Sequence, residues 1–134
     1  MSFKLHTDGG ARGNPGPGGI GVVLENPDGE IIYEMSKYVG ECTNNEAEYA
    51  ALYTGLRIAS IREIEDLEVF VDSELVAKQV RGEYKVKSPH LKSIHKKVQN
   101  LANNFKKISF THVKRSANKR ADALVNEALD SNGF

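Results

Sequence analysis

Four acids, Asp8, Glu48, Asp72 and Asp122, stand where the surrounding residues do not require a charge. Stepped at about 100° per residue, the stretch around Glu48 puts that acid in the middle of an apolar stripe formed by Ala47, Ala51, Leu52, Leu56, Ile58 and Ala59. Glu46 lies opposite and has a structural use three residues after Thr43, in a capping box. Glu48 has none. Asp8 and Asp72 each follow an apolar run that reads as a strand, and ligands of α/β sheets collect just beyond strand ends. Asp122 borders a second apolar stripe beside Val125 and Leu129. Two of the four also have ordinary explanations, Asp72 as a helix N-cap and Asp122 as a first-turn acid favoured by the helix dipole. A carboxylate taken out of water alone either holds a proton or finds a cation. Several facing one site repel each other, and one or two hard divalent cations relieve that repulsion.

The elements that must position these acids are legible in outline. Phe3 to Thr7 alternates as a half-buried strand, and Ile20–Glu25 and Ile31–Tyr38 flank Asn26-Pro27-Asp28-Gly29, a turn signal that predicts an antiparallel hairpin. Thr43 and Glu46 predict a helix from Asn44 to Ser60. Leu67–Val71 reads as a strand, followed by a short helix through Val80. Ser88-Pro89 opens a third helix, Ile108–Val113 is the last strand, and Asn118 is the expected cap of the final helix. The order βββαβααβα predicts an α/β fold, a five-stranded mixed sheet with packed helices, in a single domain over residues 1–134. The stretch TDGGARGNPGPGG reads as a flexible loop after Asp8. Its formal G-x-G-x-x-G at Gly16–Gly21 opens a strand instead of a helix, which argues against dinucleotide binding.

The chain has 134 residues and a net charge of zero. The signs are segregated. Residues 1–77 hold 5 Lys/Arg and 14 Asp/Glu, whereas residues 78–120 hold 13 Lys/Arg and the single acid Glu83. This polarity predicts a polyanion-binding face beside an acidic pocket. No apolar run approaches the ~20 residues that span a bilayer, and the lone Cys42 fits a reducing cytoplasm.

The segments TDGGARGNPGPGG, TNNEAEYAAL, VDSELV and KRADAL, in that order and across nearly the whole chain, resemble the four acidic motifs of type 1 ribonuclease H. The resemblance implies a ribonuclease H-like fold and a monomeric cytoplasmic endonuclease. It would cut the RNA strand of RNA/DNA hybrids, leaving 5′-phosphate and 3′-hydroxyl ends. It also implies Asp8, Glu48, Asp72 and Asp122 as catalytic carboxylates holding two Mg²⁺ ions, with Mn²⁺ as an alternative. Physical reasoning agrees, since two metals ~4 Å apart can activate water and stabilise the departing oxygen; Asp8 is the expected bridging ligand. Asn14, Asn44 and Asn45 match the family's groove-contacting amides, and Thr43 a DNA-phosphate contact. For Asn44 and Asn45, a preference for helix starts is an equal explanation.

Two departures bear on substrate choice. Larger members insert a basic lobe after the third motif, whereas here Arg81 to Ser88 leads straight on. Many members carry a histidine in the loop before the fourth acid, whereas here Lys114 to Arg120 has none, leaving Arg115 as the candidate to act at the phosphate. The compact basic region leaves room for a relative that also cuts double-stranded RNA. A non-catalytic nucleic-acid-binding module is the remaining alternative, against which four acids beside a phosphate argue.

Overall fold

The computed structural model describes residues 1–134. Its elements are β1 (Phe3–Ala11), β2 (Gly16–Glu25), β3 (Ile31–Cys42), α1 (Asn44–Ile61), β4 (Asp66–Val71), α2 (Glu74–Val80), α3 (Pro89–Ala102), β5 (Lys107–His112) and α4 (Lys119–Ser131), with a 3-10 turn at Arg115–Ala117 before α4. The sheet order is β3-β2-β1-β4-β5. β1 is antiparallel to β2 and parallel to β4, and β4 is parallel to β5. The expected mixed sheet and element order are those observed.

Alternation along β1 sends Leu5, Thr7 and Gly9 to one face and His6, Asp8 and Gly10 to the other. On the first face α1, α2 and α3 cover a core that includes Leu5, Val22, Leu52, Leu56, Val69 and Val98, all fully buried. Tyr49 lies within it, its phenol donating to Gln79 Oε1 at 2.7 Å. On the second face α4 packs Ala121 and Leu124 against Val23. Here His6 stacks on Phe70 and bonds Glu25 at 2.9 Å.

Three local expectations need correction. The glycine-rich stretch is mostly sheet: β1 runs through Asp8 to Ala11 and β2 starts at Gly16, leaving only the turn between them. Pairing on both sides overrides the turn preference of these residues, with Gly19 opposite Gly10 in β1 and Tyr38 in β3. Asp8 is therefore inside a strand and not at its end, although the parallel β1–β4 pairing does stop at Thr7 and Val71. The glycines also have an internal use. A Cβ on Gly9 would sit 2.2 Å from the Ala47 carbonyl oxygen, and one on Gly21 2.1 Å from that of Ala121. Without side chains there, α1 and α4 close onto opposite faces of the strand pair that carries Asp8. Finally, Asn118 occupies the cap position of α4 but makes no side-chain cap bond.

Candidate active site

α1 begins as the sequence predicts. Thr43 Oγ1 accepts from Glu46 N at 3.2 Å, and Glu46 Oε1 accepts from Thr43 N at 2.9 Å. This local lock fixes the first turn, so Glu48, one turn in, has a set direction toward β1. Asp72 does not cap α2: Ser73 does, its Oγ accepting from Val76 N at 3.2 Å. Freed of that use, Asp72 turns to Asp8 and Glu48. One carboxylate oxygen from each of the three lies within 4.8 Å of the others.

No salt bridge reaches any of these three. Burial first, then the nearby Asp72 charge, pushes the Asp8 carboxyl up to about 8, and its neutral form gains further by hydrogen bonding to Asp122. Burial likewise pushes Glu48 up to about 7, with a hydrogen bond from Ser73 acting the other way and Asp72 adding to the rise. Two acids are thus held toward their protonated forms in the metal-free protein, which shows how strongly the site lacks positive charge. The donors are all oxygen and set close together, and they fit a hard divalent cation such as Mg²⁺.

Asp122 lies next to Asp8 but outside this three-acid group. It sits in the first turn of α4 and is bonded by Arg115 Nη2 at 3.0 Å. All four acids and Arg115 line one cleft of about 380 Å³, together with Gly9, Gly10, Arg12, Asn44 and Asn126.

A sequence-family model described as Reverse transcriptase-like matches residues 6–128. The ribonuclease HI of Halobacterium salinarum is 45% identical over 123 residues, covering 92% of this chain and 62% of that protein. The crystal structure of the RNase H1 of that archaeon superposes with a TM-score of 0.94 at 42% identity, over 98% of this chain and 99% of the other. The chain belongs to the type 1 ribonuclease H family. The N-terminal RNase H domain of a Mycobacterium tuberculosis protein matches it with a TM-score of 0.94 at 39% identity, over 97% of this chain and 100% of the solved one. The compost-derived LC11-RNase H1, solved in complex with an RNA/DNA hybrid, gives 0.92 at 44% identity, over 98% and 99% of the two chains. Against curated relatives the chain is shorter, spanning 62% of the archaeal protein and 36% of a bifunctional mycobacterial one.

Within this ribonuclease H fold, the residues matched to substrate contacts are only partly gathered at the acids. Asn44 lines the acidic cleft, but its Oδ1 accepts from Ala11 N at 2.8 Å, while its own backbone N–H donates to Asn14 Oδ1 at 3.1 Å. The two amides thus fasten the β1–β2 turn to the start of α1. Thr43 uses its oxygen in the cap. Asn45 faces a neighbouring groove of about 570 Å³ lined also by Leu75, Gln79, Tyr84, Lys85 and Lys87. Arg115 is exposed apart from its bond to Asp122.

Sequence reasoning missed two residues. Arg12 lines the cleft and bridges to Asp130 at 2.7 Å and to the Phe134 carbonyl, tying the turn to the end of α4. Asn118, read as a cap, sends its amide to Thr7 and Asp72. Neither partner is close in sequence, so no local pattern signals it.

Proposed function

We propose that this chain, as one ribonuclease H unit acting as a monomer, hydrolyses the RNA strand of RNA/DNA hybrids with two bound Mg²⁺ ions. Mn²⁺ is an alternative, and the product ends are 5′-phosphate and 3′-hydroxyl. The observation that carries this reading is the convergence of Asp8, Glu48 and Asp72 within 4.8 Å with no cationic side chain among them. When bound, divalent cations there supply a water of lowered pKa and a counter-charge for the departing oxygen.

The chain's own residues do the rest. Asp8, Glu48 and Asp72 would hold the cations, with Asp122 as the fourth carboxylate, close enough to Asp8 to bond it. Arg115 neutralises Asp122 and stands exposed at the cleft, where its guanidinium can meet a phosphate oxygen. Asn14 and Asn44 fix the turn that borders the cleft, and their free amide NH₂ groups can test 2′-hydroxyls in the wide minor groove of an A-form-like duplex. Lys85 and Lys87, beside Asn45 in the second groove, extend the path with positive charge that a DNA strand can follow. The hybrid in the LC11-RNase H1 complex supports this class of substrate.

The test is cleavage of end-labelled RNA/DNA hybrid, double-stranded RNA, single-stranded RNA and duplex DNA with Mg²⁺ or Mn²⁺, beside Asp72→Asn. Cutting of hybrid alone, lost in the variant while gel-shift binding persists, is the expected result. Cutting of double-stranded RNA as well would widen the substrate class, and binding without any cutting would leave only a nucleic-acid-binding module.

A further inference from the structure

The side chain of Asn118 is almost fully buried at 2% exposure, at a helix start where its residue type ordinarily caps. It caps nothing. Its Nδ2 donates to the Thr7 carbonyl at 3.0 Å and points at Asp72 Oδ2 at the longer distance of 3.5 Å. Its backbone carbonyl accepts from Asp122 N at 3.0 Å. Its Oδ1 is buried without any partner.

That orphaned oxygen shows what the orientation is for. A buried acceptor without a donor costs ~1–3 kcal/mol, and a capping rotamer would avoid the loss. Flipping the amide in place is worse, because it would set an oxygen against both the Thr7 carbonyl and the Asp72 carboxylate. The amide is therefore held with its donor side to β1 and Asp72, at the expense of the cap. The side chain makes a double link, since Thr7 directly precedes Asp8 and Asp72 is addressed at its carboxylate, while the backbone carbonyl takes the first helical bond of α4, from Asp122 N. Parallel pairing of β1 with β4 stops at Thr7 and Val71, so beyond that point the sheet no longer sets the spacing of Asp8 and Asp72. Asn118 spans that gap.

We infer that Asn118 is a positioning residue, which sets the carboxylate of Asp72 against Asp8 and the first turn of α4 so that the acids take up a divalent cation together. This rests on the metal-dependent nuclease reading above. Partners that orient metal-binding side chains typically change metal affinity or activity by roughly 10–100-fold when removed. Asn118 touches neither cleft solvent nor substrate, so its removal leaves hybrid binding as it is.

The test uses the whole chain and two variants. Asn118→Ala removes every side-chain bond, and Asn118→Ser introduces a residue type that caps helices well, which favours folding, while being too short for Thr7 and Asp72. Titration of each folded protein with MgCl₂ alone by calorimetry is expected to give a dissociation constant raised about 10–100-fold. With hybrid, kcat falls by at least about tenfold at a fixed Mg²⁺ concentration near the parent's requirement and is partly recovered with excess Mg²⁺, while KM stays within about twofold. Wild-type Mg²⁺ affinity and kcat in either folded variant overturn the inference, whatever the change in melting temperature. If both variants fail to fold, Asn118 is a scaffold residue and the inference is equally overturned. Parent protein that binds Mg²⁺ but cuts no hybrid leaves the calorimetric comparison intact and fails the function reading instead.

Discussion

The two helices that bring acids to the cleft begin in opposite ways. α1 is closed by a reciprocal pair of bonds between residues three apart, Thr43 and Glu46, so the direction of Glu48 is settled locally. α4 starts with no side-chain cap; its start is tied to β1 by the Asn118 side chain, which reaches Thr7, and Asp122 is bonded by Arg115. One acid is fixed by its own helix and the other by the rest of the protein. The locally fixed acid belongs to the three-acid group, while the other stays outside it and keeps a cationic partner.

The largest expected effect separates these two acids. Glu48→Gln should lower hybrid cleavage by about a thousandfold or more, since a cation ligand contributes several kcal/mol to the transition state. Asp122→Asn, from outside the group, should cost only ~10–100-fold. Equal losses in single-turnover assays would erase the distinction between the helix starts.

Packing beneath each helix comes next. Gly9→Ala and Gly21→Ala each force a methyl to within 2.2 Å or less of a carbonyl oxygen, of α1 and α4 respectively. Both should lose about 3 kcal/mol in urea unfolding. Gly10→Ala, whose nearest neighbour is a Val125 methyl at 3.8 Å, should lose less than about 1 kcal/mol. A harmless Gly21→Ala would mean that α4 is held less closely than α1.

Between the helices lies Asp8. Its folded pKa, about 8 against an ordinary 3.8, means that the native state holds its proton more tightly than the unfolded chain does. Stability of the metal-free protein should therefore be full at acid pH and fall as pH rises from about 4 through 8. Asp8→Asn removes the Asp8 share of that slope and leaves the share of Glu48, whose carboxyl burial raises to about 7. At pH 8 without metal it should melt higher than the parent, by ~6 °C for a gain of ~2 kcal/mol. With Mg²⁺ the order should close or reverse, because the parent gains by binding and the variant does not. Parallel melting curves at pH 5 and 8 would refute the raised pKa of Asp8, to which burial contributes most and the Asp72 charge next.

The smallest effect tests the local lock itself. Thr43→Ala should lose ~1 kcal/mol of stability and weaken Mg²⁺ binding a few-fold, because the first turn that aims Glu48 is no longer locked. Unchanged affinity would show that the packing of α1 at Gly9, and not the cap, directs this acid.

The same contrast explains what could be read from the sequence. Thr43 and Glu46 announce α1 because both partners lie in one short segment, and Glu48 stands out against the apolar stripe. The turn at Asn26 was equally plain, and there Oδ1 accepts from Asp28 N and Glu30 N. Asn118 looked like a cap because caps are common, yet its actual partner lies 111 residues away. Asp72 looked like a cap too, while Ser73, one residue on, took that position. Gly16 to Gly19 read as loop because glycine and proline favour turns, whereas strand pairing on both sides holds them extended. Their need for hydrogen as a side chain comes partly from helices far along the chain. What failed to show were the partners that single side chains and glycines find far along the chain.

The bond from Asn118 back to Thr7 joins the last helix to the first strand, and it dates the cleft. A polypeptide emerging from the ribosome can pair β1 with β2 and wind α1 early, but it gains this closure only once the start of α4 has been made. A chain stopped short of Asn118 would already contain Asp8, Glu48 and Asp72 but would lack this tie between them and would not yet contain Asp122.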